Sequence, residues 1–196
     1  MPKLILASAS PRRRALLAEA GYDLDVRPAD VPEDLPEESD DAPAVAERLA
    51  EAKARAVAAT AEPGCWVLGA DTVVVRGRRI VGKPADVGDA RRILRDLSGT
   101  RHQVITGVAL VQSGSGRCLV RHAVTHVRMR PLSDDEIRAY AAGGEALGKA
   151  GAYAVQETGD RFIEVIDGSF TNVVGLPMEL LREMLLEIGW KGDAQR

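Results

Sequence analysis

Six polar side chains stand where core or turn residues would otherwise be expected: Ser8, Arg12, Arg13, Lys53, Asp71 and Lys83. Each interrupts or ends a stretch that otherwise reads as regular secondary structure. Four are cations, and with a serine hydroxyl and backbone donors they suit a polyphosphate, whose charge is concentrated in a short tail. One or two carboxylates among them would hold Mg²⁺, a hard cation that takes oxygen ligands and keeps several waters. A carboxylate so placed could also orient or deprotonate an attacking water. The set is the equipment for metal-assisted hydrolysis of a phosphoanhydride.

The elements that must position these residues are legible around them. Leu4 to Leu6 is an apolar run that reads as a short buried strand ending at Ser8-Ala-Ser10. Ser10 followed by Pro11 is a helix start, with serine as N-cap and proline as the first helical residue. Leu16, Leu17 and Ala20 give that helix an apolar face, and Gly21 ends it. The free N–H groups of such a start favour an anion. Arg12, Arg13 and Arg14 oppose the macrodipole there at up to roughly 1 kcal/mol each. A bound phosphate is therefore expected in preference to a merely solvated basic turn. No Gly-x4-Gly-Lys-Ser/Thr occurs, so this is not a Walker-type loop.

A second helix is predicted from Asp41-Ala-Pro43 to about Thr60, with Val45, Leu49 and Val57 at i+4 spacing and Lys53 in the remaining place. Spacing alone favours a lysine that snorkels its head out to solvent; the alternative is an ammonium delivered to an anion in a cleft. Trp66 to Val75 would be an ordinary central strand, apolar on both faces, but for Asp71. That carboxylate is either a structural group satisfied by backbone donors or a catalytic or metal-binding one, and its setting favours the second. Gly69 beside it signals close backbone approach or a break. Arg76-Gly77-Arg78-Arg79 reads as a hairpin turn returning through Ile80 and Val81 to Lys83, which would lie near Asp71 if the hairpin pairs. The acidic, proline-bearing run from Asp30 to Asp41 reads as an irregular loop, mostly solvated. One or two of its carboxylates could share in holding a metal, and the run by itself singles out none.

The remaining chain supplies scaffold. A strand is expected at Asp23 to Val26, a helix from Asp89 to Leu97, and two long strands, His102 to Val111 and Arg117 to Arg130, joined at Ser113-Gly-Ser-Gly116. Ser133-Asp-Asp-Glu136 is a capping box opening a helix with Ile137 and Tyr140 inside. Glu145 to Gln156 reads as a glycine-punctuated loop feeding a strand, and Phe162 to Ile166 with Ser169 to Val174 as a hairpin around Asp167-Gly168. Pro177 opens a last amphipathic helix, stopped by Gly189, and residues 191–196 form a polar tail expected to be disordered. With no repeat or linker, residues 1–190 read as one α/β unit. A net charge of −3 argues against non-specific nucleic-acid binding. No apolar run approaches the ~20 residues of a membrane span. Cys65 and Cys118 form no CxxC and read as reduced thiols, and no signal peptide precedes the first strand, so a cytoplasmic protein is expected. His102, His122 and His126 lack zinc spacing.

Ser8-Ala-Ser-Pro-Arg-Arg13, Gly69-Ala-Asp-Thr72-Val-Val, Gly82-Lys-Pro84, Ser98-Gly99 through His102 to Thr106-Gly107, Lys149-Ala-Gly-Ala-Tyr153 with Gln156, and Val174-Gly-Leu-Pro177 together resemble the Maf family, from about Leu4 to Gly189. The resemblance implies an inosine triphosphatase-like α/β fold, with a long twisted mixed sheet flanked by helices, two lobes, a deep active-site cleft, and usually a homodimer. It implies cleavage of a nucleoside triphosphate between the α- and β-phosphates, with Mg²⁺, Mn²⁺ or Co²⁺. Matched residue by residue, Ser8, Arg12 and Arg13 fall on the phosphate-binding motif. Glu33 falls on the acidic-loop position, Lys53 and Lys83 on the two lysines, and Asp71 on the general base or metal ligand. This reverses the spacing-only reading of Lys53 and selects Glu33, with Asp71, as the metal-side carboxylates. Thr72 and the stretch Tyr153-Ala-Val-Gln156 resemble the branch acting on dTTP and UTP, in which a glutamine amide can read the O4/N3–H edge of the base. Two departures stand out: Glu157 where that branch has glycine, and Gly148 where it has an acidic residue. Family members are also linked to septum formation, so the alternative is a regulatory nucleotide-binding protein, a cell-division inhibitor with little turnover.

Overall fold

Alternation along one strand organises the molecule. In the computed structural model, which describes residues 4–156 and 158–190, β3 (Trp66–Arg76) is buried almost throughout. Its even-numbered residues Leu68, Ala70 and Val74 join one core cluster, whereas Val67, Val73 and Val75 face the other side of the sheet, as a period of two requires. The chain runs β1 (Leu4–Leu6), α1 (Pro11–Glu19), β2 (Leu24–Val26), α2 (Ala42–Ala58), β3, β4 (Arg79–Val81), α3 (Val87–Leu97), β5 (Arg101–Gln112), β6 (Cys118–Met129), α4 (Asp134–Ala142), β7 (Ile163–Asp167), α5 (Phe170–Val174) and α6 (Met178–Glu187). The sheet is mixed and seven-stranded, in the order β2-β1-β3-β5-β6-β7, with β4 also on β3. β1 runs parallel to β2 and β3, and the other pairings are antiparallel.

Two features of this sheet make the site. The first is a gap: β1 pairs with β3 at Val67 and Leu68, and β4 pairs with it from Val74 onward. Between them, residues 69–73 face no strand on that edge among the described residues. The second is the closeness of α2. A methyl group added at Gly69 would lie 2.2 Å from the Ala50 carbonyl oxygen, and one at Gly107 of β5 would lie 2.2 Å from that of Ala46. Gly69 thus marks close approach, not a break. Ala46, Ala50 and Ala54 on the facing helix stripe are wholly buried, and small residues on both surfaces let backbone lie on backbone. On the opposite face Leu94, Ile137, Leu181 and Met184 of α3, α4 and α6 complete the larger core.

Most predicted elements form where expected, including the Ser133–Glu136 capping box of α4. Two do not. Glu145 to Gln156 feeds no strand; Ala150–Ala152 is a 3₁₀ turn with Gly151 at φ 72° and Ala152 at φ 58°, left-handed values that end extended pairing. The expected hairpin partner from Ser169 to Val174 is instead α5. Ser169 caps it by accepting the Asn172 N–H, and Gly175 at φ 127° closes it. Helical winding turns the wholly buried Asn172 inward, where its Nδ2 donates to the Val104 carbonyl at 3.0 Å and to Thr125 Oγ1 at 2.9 Å. Those bonds outweigh the strand preference of Val173 and Val174. The polar tail 191–196 and Glu157 lie outside the described residues.

Candidate functional site

The gap beside β3 opens into a cavity of about 490 Å³, within the range of small-molecule sites. Ser8, Arg12, Arg13, Glu33, Lys53, Asp71, Thr72 and Lys83 all line it. Eight of the nine residues selected from the sequence therefore converge although they come from five separate stretches of chain. Gln156 is the exception: it is exposed on a turn and is not part of the wall. Arg14 of the basic triplet is likewise exposed and turned away from the cavity.

Asp71 and Lys53 occupy the α2 side of the sheet. Both are buried, and Lys53 Nζ donates to Asp71 Oδ1 at 2.5 Å and to Glu33 Oε1 at 2.5 Å. The lysine does not snorkel, because α2 lies too close to the sheet for its stem to turn outward and two carboxylates await its head. Glu33 is delivered by the acidic loop, which is pinned along β4 by bonds from Ile80 N–H to the Glu37 carbonyl and from Ser39 N–H to the Arg78 carbonyl. Its second oxygen accepts from Lys83 Nζ at 2.5 Å. The β3–β4 hairpin does bring Lys83 to the site, but its partner is Glu33. Burial works against ionising Glu33; hydrogen bonds from Lys53 and Lys83 overcome it and bring its pKa down to about 2.

Arg13 and Thr72 occupy the opposite side of the sheet. Every arm of the buried Arg13 guanidinium is engaged: Nε donates to the Gly175 carbonyl at 2.8 Å, Nη1 to Ser8 Oγ at 3.2 Å and Nη2 to Thr72 Oγ1 at 3.1 Å. Burial lowers its pKa from the ordinary arginine value, against the opposing pull of Asp71. Thr72 Oγ1 also lies 2.9 Å from Thr106 Oγ1 and 3.4 Å from the Gly175 carbonyl. A hydroxyl with one proton and two lone pairs is thereby saturated, so Thr72 positions Arg13. Thr106 and Gly175 belong to the same assembly; both lie within stretches that carry the family resemblance, although the sequence assigns neither a role. Ser10 caps α1 by accepting the Arg13 N–H at 3.4 Å, as its sequence predicts.

The arrangement offers an anion several cationic and hydroxyl partners at the start of α1, and two carboxylates on its other side. Among the described residues no cluster of three or more His, Cys, Asp or Glu side chains could cage a metal ion. Asp71 and Glu33 do suit Mg²⁺, which commonly takes one or two protein carboxylates and completes its shell with water and substrate phosphate.

Residues 3–188 match the model of a family described as Maf-like protein. A dTTP/UTP pyrophosphatase of Geobacter sulfurreducens is 51% identical over 188 residues, which is 95% of this chain and 97% of that protein. Another, from Anaeromyxobacter dehalogenans, is 48% identical over 96% of this chain and 95% of its own. Among solved structures, a HAM1 protein from Coxiella burnetii is similar over 66% of this chain and 73% of its own, at 18% identity and a TM-score of 0.45.

Proposed function

The chain belongs to the Maf-like family, and on that footing we propose that it hydrolyses nucleoside triphosphates, with dTTP and UTP preferred, to the monophosphate and pyrophosphate. The observation that carries this reading is Lys53 held between Asp71 and Glu33 in a cavity that Ser8, Arg12, Arg13 and Lys83 also line. The triphosphate tail enters against the start of α1. Arg13, already fixed by Ser8, Thr72 and Gly175, meets it with little reorganisation, which is where fixed donors gain most over water. Asp71, oriented by Lys53, takes a proton from the water that attacks the α-phosphorus. The bond from that phosphorus to the bridging oxygen breaks, and pyrophosphate leaves with its new charge facing the cations. A divalent ion held by Asp71 and Glu33, Mg²⁺ or else Mn²⁺ or Co²⁺, would supply charge neutralisation on the phosphates.

Family membership also carries the expectation of a homodimer working in the cytoplasm; light scattering of the purified protein tests the assembly. Among the described residues no helix is long and apolar enough to cross a membrane. The deciding experiment for activity is pyrophosphate release from a nucleotide panel with and without each divalent ion. Release from dTTP and UTP above the purine nucleotides is expected. Clear nucleotide-dependent thermal stabilisation without any release would instead leave a regulatory nucleotide binder.

A further inference from the structure

The cavity has a second half that the phosphate chemistry does not use. Beyond Thr72 on the same face of the sheet, its wall includes the apolar Val74, Val104, Ala150, Tyr153 and Val174, with Lys149 also lining the cavity beside Ala150. Tyr153 is pressed into this wall by the left-handed turn before it: a methyl group at Gly151 would come within 3.0 Å of Val74 Cγ2 and 3.2 Å of Tyr153 Cε1. Ala152, next to it, is the one non-glycine residue with positive φ among the described residues. The phenol is then held from behind. His102 of β5, only 2% exposed, places Nε2 2.7 Å from the Tyr153 hydroxyl, with the rings edge to face at 5.5 Å between centroids.

His102 is an unusual choice for packing alone. Its other nitrogen, Nδ1, is buried with no hydrogen-bond partner, a defect that an apolar residue would avoid. Its one polar bond goes to Tyr153, and His102 itself does not line the cavity. We propose that this apolar half is the nucleobase subsite, that the Tyr153 ring is the wall against which a pyrimidine base packs, and that His102 is a positioning residue acting through Tyr153 to set selectivity for the base. The inference rests on the nucleotide reading above but concerns the opposite end of the substrate. A flat ring gains most from a wall that is already fixed, since a mobile aromatic side chain must be ordered on binding. A wall free to swing would also admit the larger purine.

The test uses hydrolysis-resistant α,β-methylene analogues of UTP and GTP, so that binding is read without turnover. Calorimetric Kd values are compared for the wild type, His102→Leu, His102→Gln and Tyr153→Phe, with the thermal midpoint of each. The wild type is expected to prefer the UTP analogue. In His102→Leu and Tyr153→Phe the preference should shrink by about tenfold, the scale at which one pocket contact discriminates. His102→Gln, which can still reach the phenol, should recover most of it; a residue that merely fills space would be replaced better by leucine than by glutamine. If His102→Leu does not fold, Tyr153→Phe, which removes a single oxygen, decides the matter. An unchanged preference in the folded variants, or a wild type that binds both analogues equally, overturns the proposal. Absence of pyrophosphate release from wild-type protein would sink the proposed activity, while the binding ratios would still decide the subsite.

Discussion

Replacing Gly69 by alanine should disable the site without touching any residue that lines it. The new methyl would sit 2.2 Å from the Ala50 carbonyl oxygen, 2.8 Å from the Ala54 nitrogen and 2.9 Å from the Ala54 Cβ. Two of these are backbone atoms and cannot swing aside, so α2 must lift from β3 by about 1 Å to reach ordinary van der Waals separation. Lys53 lies on that helix one residue before Ala54, and its 2.5 Å bond to Asp71 would stretch to the limit of hydrogen bonding. Overpacking of this kind costs about 1–3 kcal/mol, and in a chain of this size each kcal/mol lowers Tm by about 2–4 °C. If Lys53 and Asp71 act in catalysis as proposed, a displacement of about 1 Å between them costs on the order of 100-fold in rate. Steady-state pyrophosphate release and a thermal melt read both effects. Gly77→Ala is the control, because Gly77 at φ 63° has nothing within 4 Å of an added methyl. It should lose about 1 kcal/mol to left-handed strain with the rate intact. Gly69→Ala with normal turnover would refute the argument that the glycine contact seats Lys53, whatever happened to its stability.

Three further outcomes are expected. Asp71→Asn should abolish turnover while nucleotides still raise the thermal midpoint, since Lys53 keeps Glu33 as a partner; residual activity near wild type would remove Asp71 from its assigned role. Arg13→Lys offers one nitrogen to the three acceptors Ser8, Thr72 and Gly175, and should cost about 1–3 kcal/mol of stability while raising KM for every triphosphate alike. Stability should also depend on pH through His102, whose pKa burial depresses from 6.5 to about 4, with Arg76 adding to it. The unfolded chain then binds the extra proton, so stability is complete above pH 6.5 and is lost as pH falls toward 4. The loss is about 3 kcal/mol for a shift of that size; denaturant melts of the wild type and His102→Leu across the window should differ by this slope, the carboxylate contribution of Glu33 being common to both.

Much of the site was legible because its residues conflict with local expectation. A carboxylate inside the apolar run of β3, and three arginines at a helix start that should repel them, can be read from the order of residues alone. Their burial or charge requires compensation, and that requirement belongs to the residue, not to the fold. Ser10-Pro11 and Ser133 to Glu136 announce their helices because capping is settled within four residues.

What needed three dimensions was every question of which face, and how near. Lys53 falls on the apolar stripe of α2, where a snorkelling lysine and a buried one have the same spacing. The contact of Gly69 and Gly107 with α2 decides between them, and it joins residues far apart in sequence. The acidic run by itself does not tell Glu33 from its neighbours; the family resemblance selects it, and the pinning of the loop along β4 brings it to Lys53 and Lys83. Thr72 enters through the resemblance to the dTTP/UTP branch; strand alternation puts it on the face opposite Asp71, where it lines the cavity with its hydroxyl engaged by Thr106, Gly175 and Arg13. Ser169 to Val174 has the β-branched content of a strand and is a helix, because the buried bonds of Asn172 are made only against β5 and β6. Residue types and local spacing establish what chemistry a chain carries. Distances between segments, which no local pattern encodes, decide which of those groups meet.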